Sequence, residues 1–116
     1  MVEMNSESQF RFRAEELNLL TNVLNEVLNG FEIPEFERRI EMSRKDLDNL
    51  FRHLHSLADC EEVVLDLDQT HAFRNALLEV IRELGSEGFQ TRTGYGFSEG
   101  NSVLKKLDGL LGTSER

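Results

Sequence analysis

The sequence predicts an α+β domain that is predominantly helical, in which two tandem, pseudo-symmetric copies of one unit pack together. Each unit is expected to be a strand, a long helix, a connector and a second helix. Three observations support this fold class. A shift of 53 positions aligns residues 10–58 with 63–111 without a gap. The apolar residues of both copies recur at helical spacing and stay in phase, and a short β-prone segment opens each copy.

The first element of each copy is predicted to be a short strand. "FRFR" (10–13) alternates aromatic and basic residues, and "VVLDL" (63–67) is a short apolar run interrupted by one aspartate. A two-stranded pairing of these segments would join the two copies, so we expect the strands to lie next to each other.

A long amphipathic helix is predicted to follow each strand. Its apolar residues in the first copy align with apolar residues in the second: Leu19, Leu20, Val23, Leu24, Val27, Leu28 and Phe31 with Ala72, Phe73, Ala76, Leu77, Val80, Ile81 and Leu84. Asp66 and Gln69 have the spacing of a capping box at the start of the second helix. Gly30 and Gly85 are expected to end the two helices.

The connector of each copy has an ambiguous pattern. Residues 35–41 and 88–93 contain "EFERRI" and "GFQTRT", whose period of two suggests a strand. Pro34 followed by charged residues suggests one or two turns of helix instead. We favour the short helix.

The second helix of each copy closes the unit. "SRKD" (43–46) is a good N-terminus for a helix that reaches Leu57. In the second copy Gly100 aligns with Leu47, so we expect that helix to start later or to pack less tightly.

The domain organisation follows from these elements. Residues 10–111 are predicted to form one domain, because a single unit of about fifty residues would bury too little apolar surface alone. Residues 59–62, "DCEE", form the linker between the copies. Residues 1–9 are expected to be a disordered tail, and residues 112–116 a frayed C-terminus.

The composition favours a cytoplasmic protein that binds other proteins. With 13 Lys and Arg against 22 Asp and Glu, the formal net charge is -9, so the average field repels phosphate and makes a nucleic acid an unfavourable partner. Cys60 is the single cysteine, which suits a reducing compartment. Apolar runs are short and the first residues do not resemble a secretory signal, so we expect no membrane partner.

One stretch resembles a catalytic motif. "VVLDLDQT" (63–70) is similar to the first motif of the haloacid dehalogenase phosphatases, which implies Asp66 as phosphoryl-accepting nucleophile and Asp68 as general acid. That family also needs a parallel sheet and later Ser/Thr, Lys and acidic motifs, which the remaining residues do not offer. We therefore interpret the stretch 66–70, which contains Asp66 and Asp68, as a helix cap and expect no catalytic residues.

A second stretch resembles a DNA-binding motif. "FERRIEMSRKDLDNLFRHL" (36–54) is similar to a helix-turn-helix of the bacterial repressor type. The resemblance implies four candidate DNA contacts, which are Arg44, Lys45, Arg52 and His53. The negative net charge and the absence of such side chains in the second copy favour a structural helical hairpin instead.

Metal and cofactor signals are weak. His53 and His55 lie two residues apart on a helix and point in different directions, so together with Cys60 they do not make a zinc site. The glycines of "GYGFSEG" (94–100) lack the spacing of a phosphate-binding loop, which predicts a turn before the last helix. We expect neither a metal nor a cofactor.

Three polar residues are identical in both copies. They are Asn22, Glu26 and Arg39 in the first, and Asn75, Glu79 and Arg92 in the second. Asn22 and Glu26 lie one turn apart at the edge of the apolar stripe. We predict ion pairs of Glu26 with Arg39 and of Glu79 with Arg92, and hydrogen bonds from the asparagines to connector backbone. The alternative is a pair of equivalent recognition sites.

Taken together, the sequence predicts a small, acidic, bacterial-type interaction domain without enzymatic activity. It would act as an inhibitor or immunity-type protein that occupies a basic surface of its partner. The alternative is a helix-turn-helix regulator that uses residues 36–57 to bind DNA. A ligand between the two copies and a homodimer both stay open at this level.

Overall fold

The structure is a computed structural model that describes residues 9–57 and 62–112. Its elements are β1 (Gln9–Arg13), α1 (Ala14–Asn25) with a π-helical extension (Glu26–Gly30), α2 (Phe36–Ile40), α3 (Arg44–Ser56), β2 (Glu62–Asp66), α4 (Leu67–Thr93) and α5 (Phe97–Leu111). The chain is therefore predominantly helical with one small sheet. The predicted tail, linker and frayed C-terminus lie outside the described residues, except for Gln9, Glu62 and Gly112.

The two strands pair with each other in antiparallel orientation. Phe10 lies opposite Leu65 and Phe12 opposite Val63, and Phe12, Val63 and Leu65 are buried. The other face of the hairpin is exposed, with Arg11 in the middle of β1. Alternate residues therefore face the core and the solvent, as expected for a sheet covered on one side.

The start of α4 confirms the predicted capping box. The Gln69 backbone N–H donates to Asp66 Oδ1 at 2.8 Å, and the Asp66 N–H donates to Gln69 Oε1 at 3.0 Å. β2 ends at Asp66, so Leu67, the last residue of the predicted strand, is the first residue of α4. A cap of this kind contributes about 1 kcal/mol to stability.

The expectation that Gly85 ends the long helix of the second copy is confirmed. Gly85 adopts the non-helical values φ 68° and ψ -175°, so α4 consists of two helical segments that meet at this residue. This backbone conformation is open essentially only to glycine. Gly30 likewise ends the π-helical extension in the first copy, and the next residue, Phe31, is extended.

Both connectors are helical, in agreement with the preferred prediction. α2 is a short helix, and residues 88–93 form the last part of α4. Each connector ends on a left-handed residue, Glu41 with φ 70° and Gly94 with φ 81°. The two positions are 53 residues apart, which is the shift that aligns the two copies.

The second helices start at matching positions. Ser43 caps α3 by accepting a hydrogen bond from the Asp46 N–H at 3.1 Å, which confirms the predicted start. α5 begins at Phe97, and its expected later start is wrong. A Cβ at Gly100 would lie 2.5 Å from Phe89 Cζ, so the glycine makes room for a phenylalanine ring that is completely buried.

A single hydrophobic core joins the elements. α1 and α4 contribute most of its fully buried side chains, which include Leu20, Val23, Leu24, Val27, Ala72, Phe73, Ala76, Leu77 and Val80. α2 packs against α4, α3 packs against α1, and α5 packs against α4. No helix in the described part of the chain is long and apolar enough to cross a membrane.

Candidate functional site

The arginine of the first connector binds the glutamate of the second long helix. Arg39 Nε donates to Glu79 Oε2 at 3.0 Å, and Arg39 Nη2 donates to Glu79 Oε1 at 2.8 Å. This bidentate geometry is the strongest form of an Arg–carboxylate pair. The predicted pairing of Arg39 with Glu26 is therefore wrong.

The arginine of the second connector binds the glutamate of the first long helix. Arg92 Nη2 lies 2.7 Å from Glu26 Oε1, and Glu26 is only 6% exposed. Arg92 Nη2 also lies 3.4 Å from the Gly30 carbonyl oxygen, to which it donates. A Cβ at Gly30 would lie 2.3 Å from Glu26 Oε1, so glycine leaves the space that this buried carboxylate occupies. The predicted pair of Glu79 with Arg92 is likewise wrong.

The two repeated asparagines also bind the connector of the other copy. Asn22 Nδ2 donates to the Thr93 carbonyl oxygen at 2.9 Å, and Asn75 Nδ2 donates to the Ile40 carbonyl oxygen at 2.9 Å. These carbonyl groups belong to the last helical residues of the two connectors. Each long helix thus satisfies backbone groups of the connector that comes from the other half of the sequence.

The six repeated polar residues therefore tie the two halves of the chain to each other. The sequence repeat could not reveal this, because a contact within a copy and the crossed contact have the same partners by residue type. Each connector folds away from its own long helix and over the other one. The separation along the chain is 40 residues for Arg39 with Glu79 and 71 residues for Asn22 with Thr93.

The structure has two open grooves with acidic walls. Each lies between the second helix of one copy and the N-terminus of the long helix of the other copy. The first acidic groove, of about 380 Å³, lies between α3 and the N-terminus of α4. The second acidic groove, of about 240 Å³, lies between α5 and the N-terminus of α1. Six lining positions of the first match the second at the 53-residue shift: Met42, Asp46, Asn49, Leu50, Asp68 and Gln69 with Tyr95, Glu99, Ser102, Val103, Glu15 and Glu16.

Each groove presents two exposed carboxylates at matching positions. Asp46 and Asp68 line the first groove, and Glu99 and Glu15 line the second. None of the four forms an ion pair with another residue within 9–57 or 62–112. All four stand in the first turn of a helix, where negative charge is favourable. The grooves are therefore local concentrations of uncompensated negative charge.

The second groove differs from the first in one wall. Lys106 Nζ lies 2.7 Å from Glu16 Oε2 and so neutralises a third carboxylate there. His53 and Gln69 stand at the corresponding positions of the first groove. Both grooves thus keep the same two uncompensated acids and differ in the group beside them.

The residues with a phosphatase-like spacing occupy a different setting from that family. Asp66 caps α4, and Asp68 is an exposed first-turn residue that faces the first acidic groove. Among the described strands, β2 pairs only with β1, and it does so in antiparallel orientation. The parallel sheet on which the phosphatase nucleophile stands is thus not part of the described structure.

The first candidate DNA contact has partners within the chain. Arg44 Nη1 donates to the Leu28 carbonyl oxygen at 2.8 Å, and its guanidinium lies 4.5 Å from the centre of the Phe36 ring. These contacts hold Arg44 against the end of the first long helix and against α2. A contact with DNA would have to replace them.

The other three candidate DNA contacts lie along α3. Arg52 Nε pairs with Asp48 Oδ2 at 3.0 Å, which reduces the charge it could offer to phosphate. Lys45 and His53 are exposed, and His53 lines the first acidic groove. Two of the four residues, Arg44 and Arg52, are therefore engaged by partners within the chain.

The histidines do not form a metal site with other residues that the structure describes. No group of three or more His, Cys, Asp or Glu side chains that could hold a metal ion occurs among the described residues. His55 stacks on Phe51 with ring centroids 6.0 Å apart, while His53 faces the groove. Cys60 lies outside the described residues.

Neither residue identity nor similarity to known proteins points to the four groove carboxylates. Comparison with protein-family models, with curated protein sequences and with solved structures finds no match to this chain. Within the chain, Glu15 aligns with Asp68 and Asp46 with Glu99, so each pair keeps its charge but not its residue type. A search for repeated charge, in place of repeated identity, would have found them.

Proposed function

We propose that this chain is a non-enzymatic interaction module that binds a basic surface of a partner protein, as an inhibitor or immunity-type protein does. The observation that carries this proposal is the pair of acidic grooves at equivalent positions of the two halves. A groove that presents two uncompensated carboxylates is complementary to Lys and Arg side chains. With a net charge of -9, the whole molecule also attracts a basic partner during encounter.

We further propose that the fold consists of two tandem units, residues 10–58 and 63–111, related by a pseudo-twofold axis. The crossed contacts support this, because the pair Glu26 with Arg92 becomes the pair Glu79 with Arg39 when each residue is replaced by its counterpart in the other copy. The register of the hairpin gives independent support. Arg11 lies opposite Val64, its own counterpart, as a twofold axis through the middle of the hairpin requires.

A twofold arrangement gives the proposed function a geometric consequence. The axis would relate the two acidic grooves, so the chain would offer two similar binding sites in a fixed orientation. A partner with two basic sites at the matching distance would bind both, and the second contact would form at a high effective concentration. We propose a cytoplasmic setting for this complex, in keeping with the single cysteine of the chain.

Neutralising the four groove carboxylates tests the proposal. The groove variant combines Glu15→Gln, Asp46→Asn, Asp68→Asn and Glu99→Gln. The tagged wild-type chain is used to capture partners from its native cell, and the affinity of the purified partner is then measured by calorimetry. At about 0.5 kcal/mol for each exposed charge, the groove variant should raise Kd on the order of thirtyfold.

A charge-matched variant serves as the control. It replaces four exposed glutamates outside the grooves, Glu32, Glu37, Glu83 and Glu87, by glutamine, and so changes the net charge by the same amount. We expect this variant to retain most of the affinity, with only its association rate reduced. Equal weakening by both variants, with unchanged circular dichroism, would show that the grooves are not the binding site.

The helix-turn-helix alternative predicts a different captured partner. A DNA-binding regulator that uses residues 36–57 would retain nucleic acid, and nuclease treatment would release it. The contacts of Arg44 with Leu28 and of Arg52 with Asp48 leave this alternative less support than the protein partner. Capture that depends on nucleic acid and is insensitive to the groove variant would favour the alternative.

A further inference from the structure

A small pocket lies between α1 and the C-terminal end of α3. Its volume is about 180 Å³, and the buried side chains of Leu17 and Leu54 belong to its lining. Polar side chains from both helices complete the wall, and they are Asn18, Thr21, Asn22 and His55. We call it the α1–α3 pocket. Its lining is about half apolar and half polar, so it can contact both the aliphatic part and the hydrogen-bonding part of a long side chain.

An arginine stands at one of the aligned positions in the second half of the chain. There, between α4 and α5, Arg74 Nε donates to Asp108 Oδ1 at 2.8 Å, and Arg74 Nη1 donates to Asn75 Oδ1 at 3.2 Å. The side chains of Arg74 and Asp108 are 15% and 21% exposed. A guanidinium group is therefore part of the packing at this place.

The first half keeps one partner of that guanidinium and lacks the guanidinium itself. Thr21 stands at the position of Arg74 and His55 at the position of Asp108, while Asn22 matches Asn75. Asn22 Nδ2 donates to the Thr93 carbonyl oxygen, as Asn75 Nδ2 donates to that of Ile40. Because both amides are anchored in the same way, Asn22 Oδ1 is the counterpart of the oxygen that accepts the hydrogen bond from Arg74.

We propose that the α1–α3 pocket binds an arginine side chain that the partner protein supplies. The proposal rests on the proposed function, since it names the chemistry of one contact with a basic partner. The aliphatic part of the arginine would cover Leu17 and Leu54, and its planar head would donate to Asn22 Oδ1. A lysine has no planar fork, so it cannot reproduce the contacts that Arg74 makes in the other half.

The absence of a carboxylate at position 55 limits the affinity that we expect of the pocket for arginine. His55 supplies no negative charge where Asp108 pairs with Arg74, so the pocket holds the guanidinium through a neutral acceptor and the field of an acidic protein. A free arginine derivative should then bind weakly, in the millimolar range that a single small side chain reaches. Restoring the carboxylate should strengthen the binding.

Nuclear magnetic resonance with N-acetyl-arginine amide tests the proposal on the full-length chain. The expected result is a saturable shift of the Asn22 side-chain amide and of backbone signals from residues 14–22 and 54–57. The amides of N-acetyl-lysine and N-acetyl-citrulline are the controls, because the first lacks the planar fork and the second lacks the charge. Both should give clearly smaller shifts at these residues.

Two variants distinguish a built site from a surface effect. His55→Asp introduces the carboxylate that faces Arg74 in the other half, and it should tighten the binding of arginine amide about threefold to fivefold. The double variant Thr21→Arg with His55→Asp carries its own guanidinium in the pocket. It should fold normally by circular dichroism and lose the shifts at the pocket.

Three results would overturn the proposal. They are equal shifts with citrulline amide, persistence of the shifts in the double variant, and failure of His55→Asp to strengthen binding. None of these measurements uses the natural partner or the acidic grooves. A failure here would therefore leave the groove proposal standing, and a failure of the groove variant would not remove a positive result at the pocket.

Discussion

At the scale of single residues, glycines decide where side chains from the two halves can approach each other. Gly30 leaves the space that Glu26 fills, and Gly100 leaves the space that Phe89 fills. Neither role was predicted from the sequence, where Gly30 was interpreted as a helix end and Gly100 as a sign of loose packing. A sequence shows which position lacks a side chain but not which neighbour uses the space.

Gly100→Ala should destabilise the protein because the new methyl group collides with a rigid ring. The Cβ would lie 2.5 Å from Phe89 Cζ, and Phe89 is fully buried. We expect a loss of about 2 kcal/mol in the free energy of unfolding, which denaturant titration measures.

Gly109→Ala on the same helix is the matched control. A Cβ at Gly109 meets nothing within 4 Å, so helix propensity alone should stabilise this variant by up to about 1 kcal/mol. The smaller ring-site variant Phe89→Leu should recover part of the loss when it is combined with Gly100→Ala. Equal effects of the two alanine substitutions would contradict the packing assigned to Gly100.

At the scale of elements, local signals were predictive wherever a helix end depends on its own side chains. The caps at Asp66 and Ser43 form as expected, because each hydrogen bond spans only three residues. The helix end predicted at Gly85 is also found, and a second helical segment follows it directly, because the connector 88–93 is itself helical.

The C-terminus of α2 offers an element-level prediction. Glu41 adopts φ 70°, whereas the second copy has Gly94 at the same position with φ 81°. Because a left-handed conformation costs a non-glycine residue roughly 1 kcal/mol, Glu41→Gly should stabilise the protein by about that amount. The increase should appear as a higher melting temperature in thermal unfolding.

Glu37→Gly is the control for the opposite effect. Glu37 lies within α2, where glycine loses more backbone entropy and should cost about 1 kcal/mol. The two substitutions remove the same side chain, so they differ only in backbone conformation. A lower melting temperature for Glu41→Gly would argue against the left-handed end of α2.

At the scale of the whole molecule, the two halves hold each other's connectors. The order of strands and helices and the polar residues of interest could be predicted from the internal repeat. The direction of the contacts could not, because Glu26 has an arginine available in both connectors. Tertiary packing makes the choice, and it places the buried Glu26 beside Arg92 and Glu79 beside Arg39.

The crossed arrangement also makes the halves dependent on each other. The hairpin, both ion pairs and both asparagine hydrogen bonds join one half of the sequence to the other. Loss of one connector would therefore leave polar side chains of the opposite long helix without their partners. Such a molecule should unfold as one cooperative unit, and it presents both acidic grooves and the α1–α3 pocket from a common frame.

A double-mutant cycle on Glu26 tests the crossed arrangement most directly. Glu26→Ala is combined in turn with Arg92→Ala and with Arg39→Ala, and the free energies of unfolding give the coupling energy of each pair. We expect a coupling of about 1 to 2 kcal/mol between Glu26 and Arg92, because the carboxylate is buried, and a coupling near zero between Glu26 and Arg39. The reverse result, with strong coupling to Arg39 and none to Arg92, would contradict the crossed contacts between the two halves.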